Sequence, residues 1–466
     1  MSRLLDQMSI RDTRTDNGCL TNSTTLNDCL DYFAIVGTQD VWLDYFDCAY
    51  KENPIVALRI LFWSRNCRGG AGRRKHFQNV MSYLQETRSD VFSKLVDLIP
   101  EYGYWKDVFT LHITDDVLEL IKTNLLADNH SSLCAKYMPR KGAWFNALRT
   151  YMGLTPKELR KLLVERTKVV EQQMCAKQWS EIEYAHVPSK AGMMYSNAFR
   201  RHDGERYSKF IDDVNNGVAK VNASVLYPHE LFRAHEMRTI KTDAIKAFWD
   251  NLPNYMTNTN KRILPVCDTS GSMYSNGRMP LYVSVGLGCY ISERNKGIFE
   301  NQFITFSENP VVQRLQGDII DRFEMLKVAK WGYNTDLYKV FERILTIATE
   351  NNLSPNEMPT TILIISDMQF DMGVKINKTM YENVKELYHE SGYDLPEIIF
   401  WNVVGDKNNY PATKYDYKVG LVSGYSPSIL KSILKGEVIS PIDLMLETVN
   451  DRCYDIVEER VANLFN

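Results

Sequence analysis

Ile263-Leu264-Pro265-Val266-Cys267-Asp268-Thr269-Ser270-Gly271-Ser272 is the stretch whose reading decides the fold. Its first five residues form the short apolar run of a buried strand. The strand then gives way to one carboxylate and two hydroxyls at alternate positions (Asp268, Ser270, Ser272), with Gly271 loosening the turn. Oxygen donors gathered around one point suit a hard divalent cation, Mg²⁺ or alternatively Mn²⁺. So short a string recurs by chance, and its surroundings decide its meaning.

The surroundings agree. Residues 280–294 carry Leu281, Val285 and Cys289 on one helical face. Residues 303–307 and 311–315 read as further strands. Gly332 to Asp336 precede a helical pattern of Leu337, Val340, Phe341, Ile344 and Leu345, so Thr335 falls in a loop at a helix start. The β-branched run 361–365 suits a parallel sheet buried on both faces, and it ends at Ser366-Asp367, again a carboxylate at a strand's carboxyl end. Residues 398–403 and 420–424 supply two more strands. Strands alternating with helices predict a doubly wound α/β sheet, whose ligands sit at the carboxyl ends of its strands.

Over residues 259–430 this arrangement resembles the von Willebrand factor A domain, a Rossmann-like fold. Asp268, Ser270 and Ser272 match the Asp-x-Ser-x-Ser of that family's metal-ion-dependent adhesion site. Thr335 matches its isolated threonine, and Asp367 its second aspartate. The resemblance implies that these five residues hold the metal. The alternative is that Asp268 and Asp367 cap helices while the serines make turn hydrogen bonds. With only two aspartates, a bound Mg²⁺ keeps water in its shell and accepts a carboxylate or phosphate oxygen from a partner. No positioned base or nucleophile stands nearby, so binding is expected and catalysis is not.

The first 258 residues read differently. Helical periodicity dominates and no alternating strand stands out. Thr155-Pro156-Lys157-Glu158 is a capping box with proline at the first helical position, and the apolar face continues through Leu159, Leu162, Leu163, Val170 and Met174. Residues 54–62, 80–98 and 107–126 read as further helices. Two segments, Phe62-Trp63-Ser64-Arg65-Asn66-Cys67-Arg68-Gly69-Gly70-Ala71-Gly72-Arg73-Arg74 and Ile99-Pro100-Glu101-Tyr102-Gly103-Tyr104-Trp105-Lys106-Asp107, look like motifs of the Ro/TROVE proteins. In those, HEAT-like helical repeats bind RNA and a von Willebrand A domain closes the ring. Nearly the whole chain is also similar to an uncharacterised family of plants, giant viruses and phages. That likeness rests on Ala135-Lys136-Tyr137-Met138-Pro139-Arg140, Tyr184-Ala185-His186-Val187-Pro188-Ser189-Lys190-Ala191 and Pro441-Ile442-Asp443-Leu444-Met445. The fold class expected is therefore α plus α/β: a helical repeat domain over 1–258, an A-type domain over 259–430, and helices over 431–466 that return to the helical domain.

Charge is nearly balanced, 55 basic against 58 acidic residues, which excludes a bulk polycation. Basic residues nevertheless cluster in three acid-free windows. Residues 53–85 hold Arg65, Arg68, Arg73, Arg74 and Lys75; 129–157 hold Lys136, Arg140 and Lys141; 184–202 hold Lys190, Arg200 and Arg201. Trp63, Trp105, Trp144, Tyr137 and Tyr195 lie in or near them. Arginines on phosphates and rings on unpaired bases suit RNA. The bland reading makes these arginines solvated faces or interdomain ion pairs, and the tryptophans core.

Nine scattered cysteines without a Cys-x-x-Cys pair point to reduced thiols in an intracellular, cytoplasmic protein. His186 reads as a packed or capping histidine. No run approaches the ~20 apolar residues needed to span a bilayer, and residues 1–12 do not resemble a signal peptide. The expected function is a non-catalytic, monomeric RNA-binding scaffold of Ro-like type, with Mg²⁺ or Mn²⁺ in its A domain. The other reading is a metal-dependent protein interaction module, completed by an acidic side chain of its partner and having no RNA role.

Overall fold

The computed structural model describes residues 13–37, 43–257, 259–305, 310–328, 336–371, 378–405 and 408–465. Near the amino end, β1 (Thr13–Arg14) and β2 (Leu20–Thr21) form a small antiparallel pair, strands that the sequence pattern does not announce. Helices then occupy the chain to Asp250. Six strands of the second half build one sheet: β3 (Ile263–Cys267), β4 (Gln302–Thr305), β5 (Val311–Arg314), β6 (Thr361–Ser366), β7 (Glu397–Asn402) and β8 (Val419–Ser423). Their order is β5-β4-β3-β6-β7-β8, parallel throughout except for the β4–β5 pair. Every residue of β3, β6, β7 and β8 is buried, which is why these segments read as unbroken apolar runs. β5 is the exposed antiparallel edge.

The helix Ser275–Arg294 crosses the sheet beside β3. Asn276, Gly277 and Arg278 are left-handed, so its regular part starts near Pro280, as the apolar pattern predicts. Gly286 and Gly288 let it lie close to both neighbours. A Cβ at Gly288 would stand 2.3 Å from the Cys267 Sγ, and one at Gly286 would stand 2.9 Å from the His229 backbone.

Three helical expectations need correction. The 80–98 pattern is divided between Lys75–Thr87 and Ser89–Leu95, because Arg88 leaves helical geometry (φ −142°, ψ 61°) and holds Asp47. Trp105–Val108 and Asp115–Leu126 are separate helices; Thr114 is extended and starts the second, with Asp115 and Asp116 at its positive end. The helix begun at Pro156 stops at Arg166. Thr167 turns extended and its hydroxyl bonds back to the Leu163 carbonyl at 2.6 Å, so Val170–Cys175 is a new helix.

Both chain ends cross between the halves. The helix Asp28–Val36 packs on β8 and on the helix Pro441–Val449. The Ser423 hydroxyl donates to the Phe33 carbonyl and accepts from the Gly37 amide, both at 2.9 Å. At the other end, Asp455–Val461 packs on Pro54–Arg65, where the buried Arg59 meets Glu458 at 2.6 Å and Asp455 at 3.1 Å. The buried apolar side chains of both halves form one continuous cluster.

Candidate functional site

Register brings the two sequence-distant acids together. Cys267 lies opposite Ile365 in the β3–β6 pair, so Asp268 and Ser366-Asp367 leave adjacent strands side by side at the carboxyl edge. The Asp268 amide donates to the Ile365 carbonyl at 2.9 Å, continuing the ladder by one step. The Ser366 hydroxyl donates to Asp268 Oδ2 at 2.5 Å, and the Ser270 amide to Asp268 Oδ1 at 2.8 Å. The Ser270 and Ser272 hydroxyls are 3.1 Å apart. The Gln369 amide donates to Asp367 Oδ1 at 3.1 Å. To reach that position the chain passes through Met368 at φ +68°, a left-handed conformation held by the Ser366 hydroxyl and by Asn409.

Asp268, Ser270 and Asp367 are buried, whereas Gly271 and Ser272 are exposed at the rim. Among the described residues Asp268 has no ion pair. Burial first, and the neighbouring Asp367 charge second, push its carboxyl up to about 7; bonds from Ser366 and Ser270 pull the other way. Two acids and several hydroxyls sharing a buried corner fit a hard cation, whose charge would offset both effects. Asp268 and Asp367 would hold it with Ser270 and Ser272, and the ion would supply a Lewis-acidic position for an incoming oxygen. Among the described residues no group of three or more His, Cys, Asp or Glu could hold a metal, so hydroxyls would have to complete the donor set of any ion held here. Thr335, the remaining predicted ligand, lies outside the described residues. Ser366 is the residue that sequence reasoning passed over. Its only signal is its place just before Asp367, opposite Asp268.

The amino-terminal segment runs along the same rim. The Thr15 hydroxyl donates to the Phe370 carbonyl at 2.7 Å, and the Asp16 amide to Gln369 Oε1 at 2.8 Å. Asn17 Nδ2 reaches the Gln369 carbonyl at 2.7 Å.

The predicted RNA-contacting residues are scattered in role. Arg65 is fully buried, with Nη2 2.6 Å and Nε 2.9 Å from Asp107 Oδ2. Asp107 also accepts from Arg74 Nε, Gln78 Nε2 and the Tyr104 amide. A Cβ on Gly103 would stand 2.4 Å from that carboxylate. The segments 62–74 and 99–107 are thus two sides of one buried ion-pair joint. Arg73 stacks on the Tyr425 ring at 5.4 Å, and Arg68 donates to the Glu101 carbonyl at 2.6 Å. Lys136 pairs with Glu171, Lys190 with Glu230 and Arg200 with Asp243. Arg140 is exposed and reaches Thr167 at 3.4 Å; Lys75, Lys141 and Arg201 are exposed as well.

Arg74, Lys136 and Lys190 come together on the wall of a cavity of about 1200 Å³ within the helical half, joined there by Lys106 and Lys168. Arg68 lines a second cavity of about 440 Å³. His186 is exposed and meets Glu183 at 2.8 Å. No helix among the described residues is long and apolar enough to cross a membrane.

An uncharacterised protein of Acanthamoeba polyphaga mimivirus is 27% identical over 498 residues, covering 93% of this chain and 86% of the viral one. Residues 262–461 match the Domain of unknown function DUF7788, beginning one residue before β3. Residues 15–114 and 121–261 match the Domain of unknown function DUF2828. Since that match spans more than half of the sequence, the chain belongs to the DUF2828 family.

Proposed function

We propose that this protein is a non-catalytic binding protein whose A-type domain seats a divalent cation and, through it, an acidic group of a partner protein. One observation carries the reading: Asp268 and Asp367 stand side by side at the buried ends of adjacent parallel strands, with Ser270, Ser272 and Ser366 around them. The strand order, with its single antiparallel edge, supports the von Willebrand A-type reading. In such a site Mg²⁺ or Mn²⁺ keeps positions open, and a carboxylate from outside fills one of them. The exposed Gly271-Ser272 rim leaves an approach. Partner capture with Mg²⁺ and with EDTA, on wild type and Asp268→Ala, tests it. Retention that needs the metal and is lost in the variant is expected; retention indifferent to both contradicts the proposal.

RNA binding is the second reading, and the cavity supports it. The surface patches drawn from the sequence lose force, because Arg65, Lys136, Lys190 and Arg200 each have an internal carboxylate. The convergence of Arg74, Lys136, Lys190, Lys106 and Lys168 on one concavity of a HEAT-like helical half keeps the reading alive in one place.

A further inference from the structure

We infer that the 1200 Å³ cavity of the helical half is a site for a nucleoside phosphate, either a free nucleotide or one unit of a single-stranded RNA. In its strand form the inference rests on the RNA reading; in its free-nucleotide form it stands without it, and both forms are independent of the cation site.

Five cationic side chains line the cavity (Arg74, Lys106, Lys136, Lys168 and Lys190) against the acidic Glu171, Glu181 and Glu183. Three of the five have their own carboxylates: Arg74 with Asp107, Lys136 with Glu171, Lys190 with Glu230. Lys106 and Lys168 are exposed and have no ion pair among the described residues. Glu181 and Glu183 stand against these two, while Asp107 is shared between Arg65 and Arg74, so the wall keeps a small positive excess that favours an anion from outside the chain.

The rest of the wall says what accompanies the anion. Tyr104, Tyr137 and Tyr195 bring rings to the cavity, and Leu133, Val170 and Met194 give apolar surface. Tyr195 is positioned by Glu171, whose Oε1 accepts both its hydroxyl at 3.1 Å and Lys136 Nζ at 2.6 Å. Gln172 adds a side-chain amide able to read the edge of a base, and Gln173 and Gln178, whose Nε2 groups donate to Glu181 at 3.2 and 3.3 Å, add amide oxygens. Rings, amides and free cations in one space match a planar base linked to a phosphate.

An acidic peptide fits less well. Glu171, Glu181 and Glu183 stand on the same wall and would repel a run of carboxylates more than a single phosphate beside a neutral base. The volume exceeds what one mononucleotide fills, which leaves room for neighbouring units of a strand.

The test measures binding of ADP by calorimetry and of a labelled short poly(U) strand by fluorescence anisotropy, in moderate salt with and without EDTA. The proteins are wild type, Lys106→Ala/Lys168→Ala, Asp268→Ala, and Lys94→Ala/Lys209→Ala, two exposed lysines outside the cavity. At least one probe is expected to bind, with affinity about ten-fold lower in the Lys106/Lys168 variant and falling as salt rises. Asp268→Ala, EDTA and the Lys94/Lys209 variant should leave it unchanged. Binding of ADP alone assigns the site to free nucleotides and removes the RNA reading; binding of poly(U) alone assigns it to a strand. The inference is overturned if neither probe binds, or if polyglutamate displaces the probe as well as ADP does. Poly(U) binding that the Lys106/Lys168 variant retains in full also overturns it, while leaving RNA binding itself intact. Circular dichroism of each variant verifies the fold.

Discussion

At the scale of single residues, Asp107 is the side chain on which most depends. It is buried and accepts from Arg65, Arg74, Gln78 and the Tyr104 amide. Removing it strands the Arg65 guanidinium, which is equally buried. Breaking a buried pair from one side costs about 3–5 kcal/mol. Asp107→Ala should therefore lower the urea midpoint sharply, while Arg74→Ala, at a half-exposed partner, should change it little. Equal effects of the two would contradict the assignment. This residue also marks a limit of sequence reading. Arg65 and Asp107 are both visible in their motifs, but nothing in one dimension says that one closes on the other. A run of arginines among aromatics looks the same whether it faces RNA or its own counter-ions.

Between elements, legibility follows burial. β3, β6, β7 and β8 lie within a residue or two of the apolar runs that predict them, because a sheet covered on both faces leaves little room for other side chains. The pairing of Asp268 with Asp367 was likewise readable, since both end such runs. What was not readable is where helices break: Arg88 and Thr167 interrupt apolar faces whose spacing continues past them. The β3–helix contact gives a test. Gly288→Ala puts a methyl 2.3 Å from Cys267 Sγ, where a buried strand and a buried helix must separate to admit it. A loss of about 2 kcal/mol is expected. Because Cys267 precedes Asp268, divalent-cation affinity should fall as well. A variant of unchanged stability would mean that the helix does not lie so close.

For the whole molecule, the joint between the halves carries a pH signature. His229 is buried on the helix Pro228–Glu236, which packs on Ser275–Arg294; Tyr227 and Tyr425 flank its ring. Burial pulls its imidazole down to about 4 from 6.5; Glu230 opposes the shift, and Lys190 and Arg233 add to it. Below pH 6.5 the unfolded chain takes a proton that the folded one refuses. His229 thus costs stability progressively as pH falls from 6.5 towards 4, by up to about 3 kcal/mol. Asp31, raised to about 6 by burial, contributes with the opposite sign. Comparing wild type with His229→Gln cancels it. The difference in urea midpoint between the two proteins should shift against wild type from pH 7 to pH 5, and a constant difference would contradict the burial of a neutral ring. The return of the helices over 431–466 to the helical half was expected from the sequence; the packing of Asp28–Val36 on β8 was not, since no local pattern tells a helix which neighbour it will find. The cation at the sheet edge remains the central claim. Calorimetric titration of Mn²⁺ into metal-free wild type and Asp268→Ala tests it most directly. The account predicts one site per chain in the wild type and none in the variant; equal binding by both, or none by either, would contradict it.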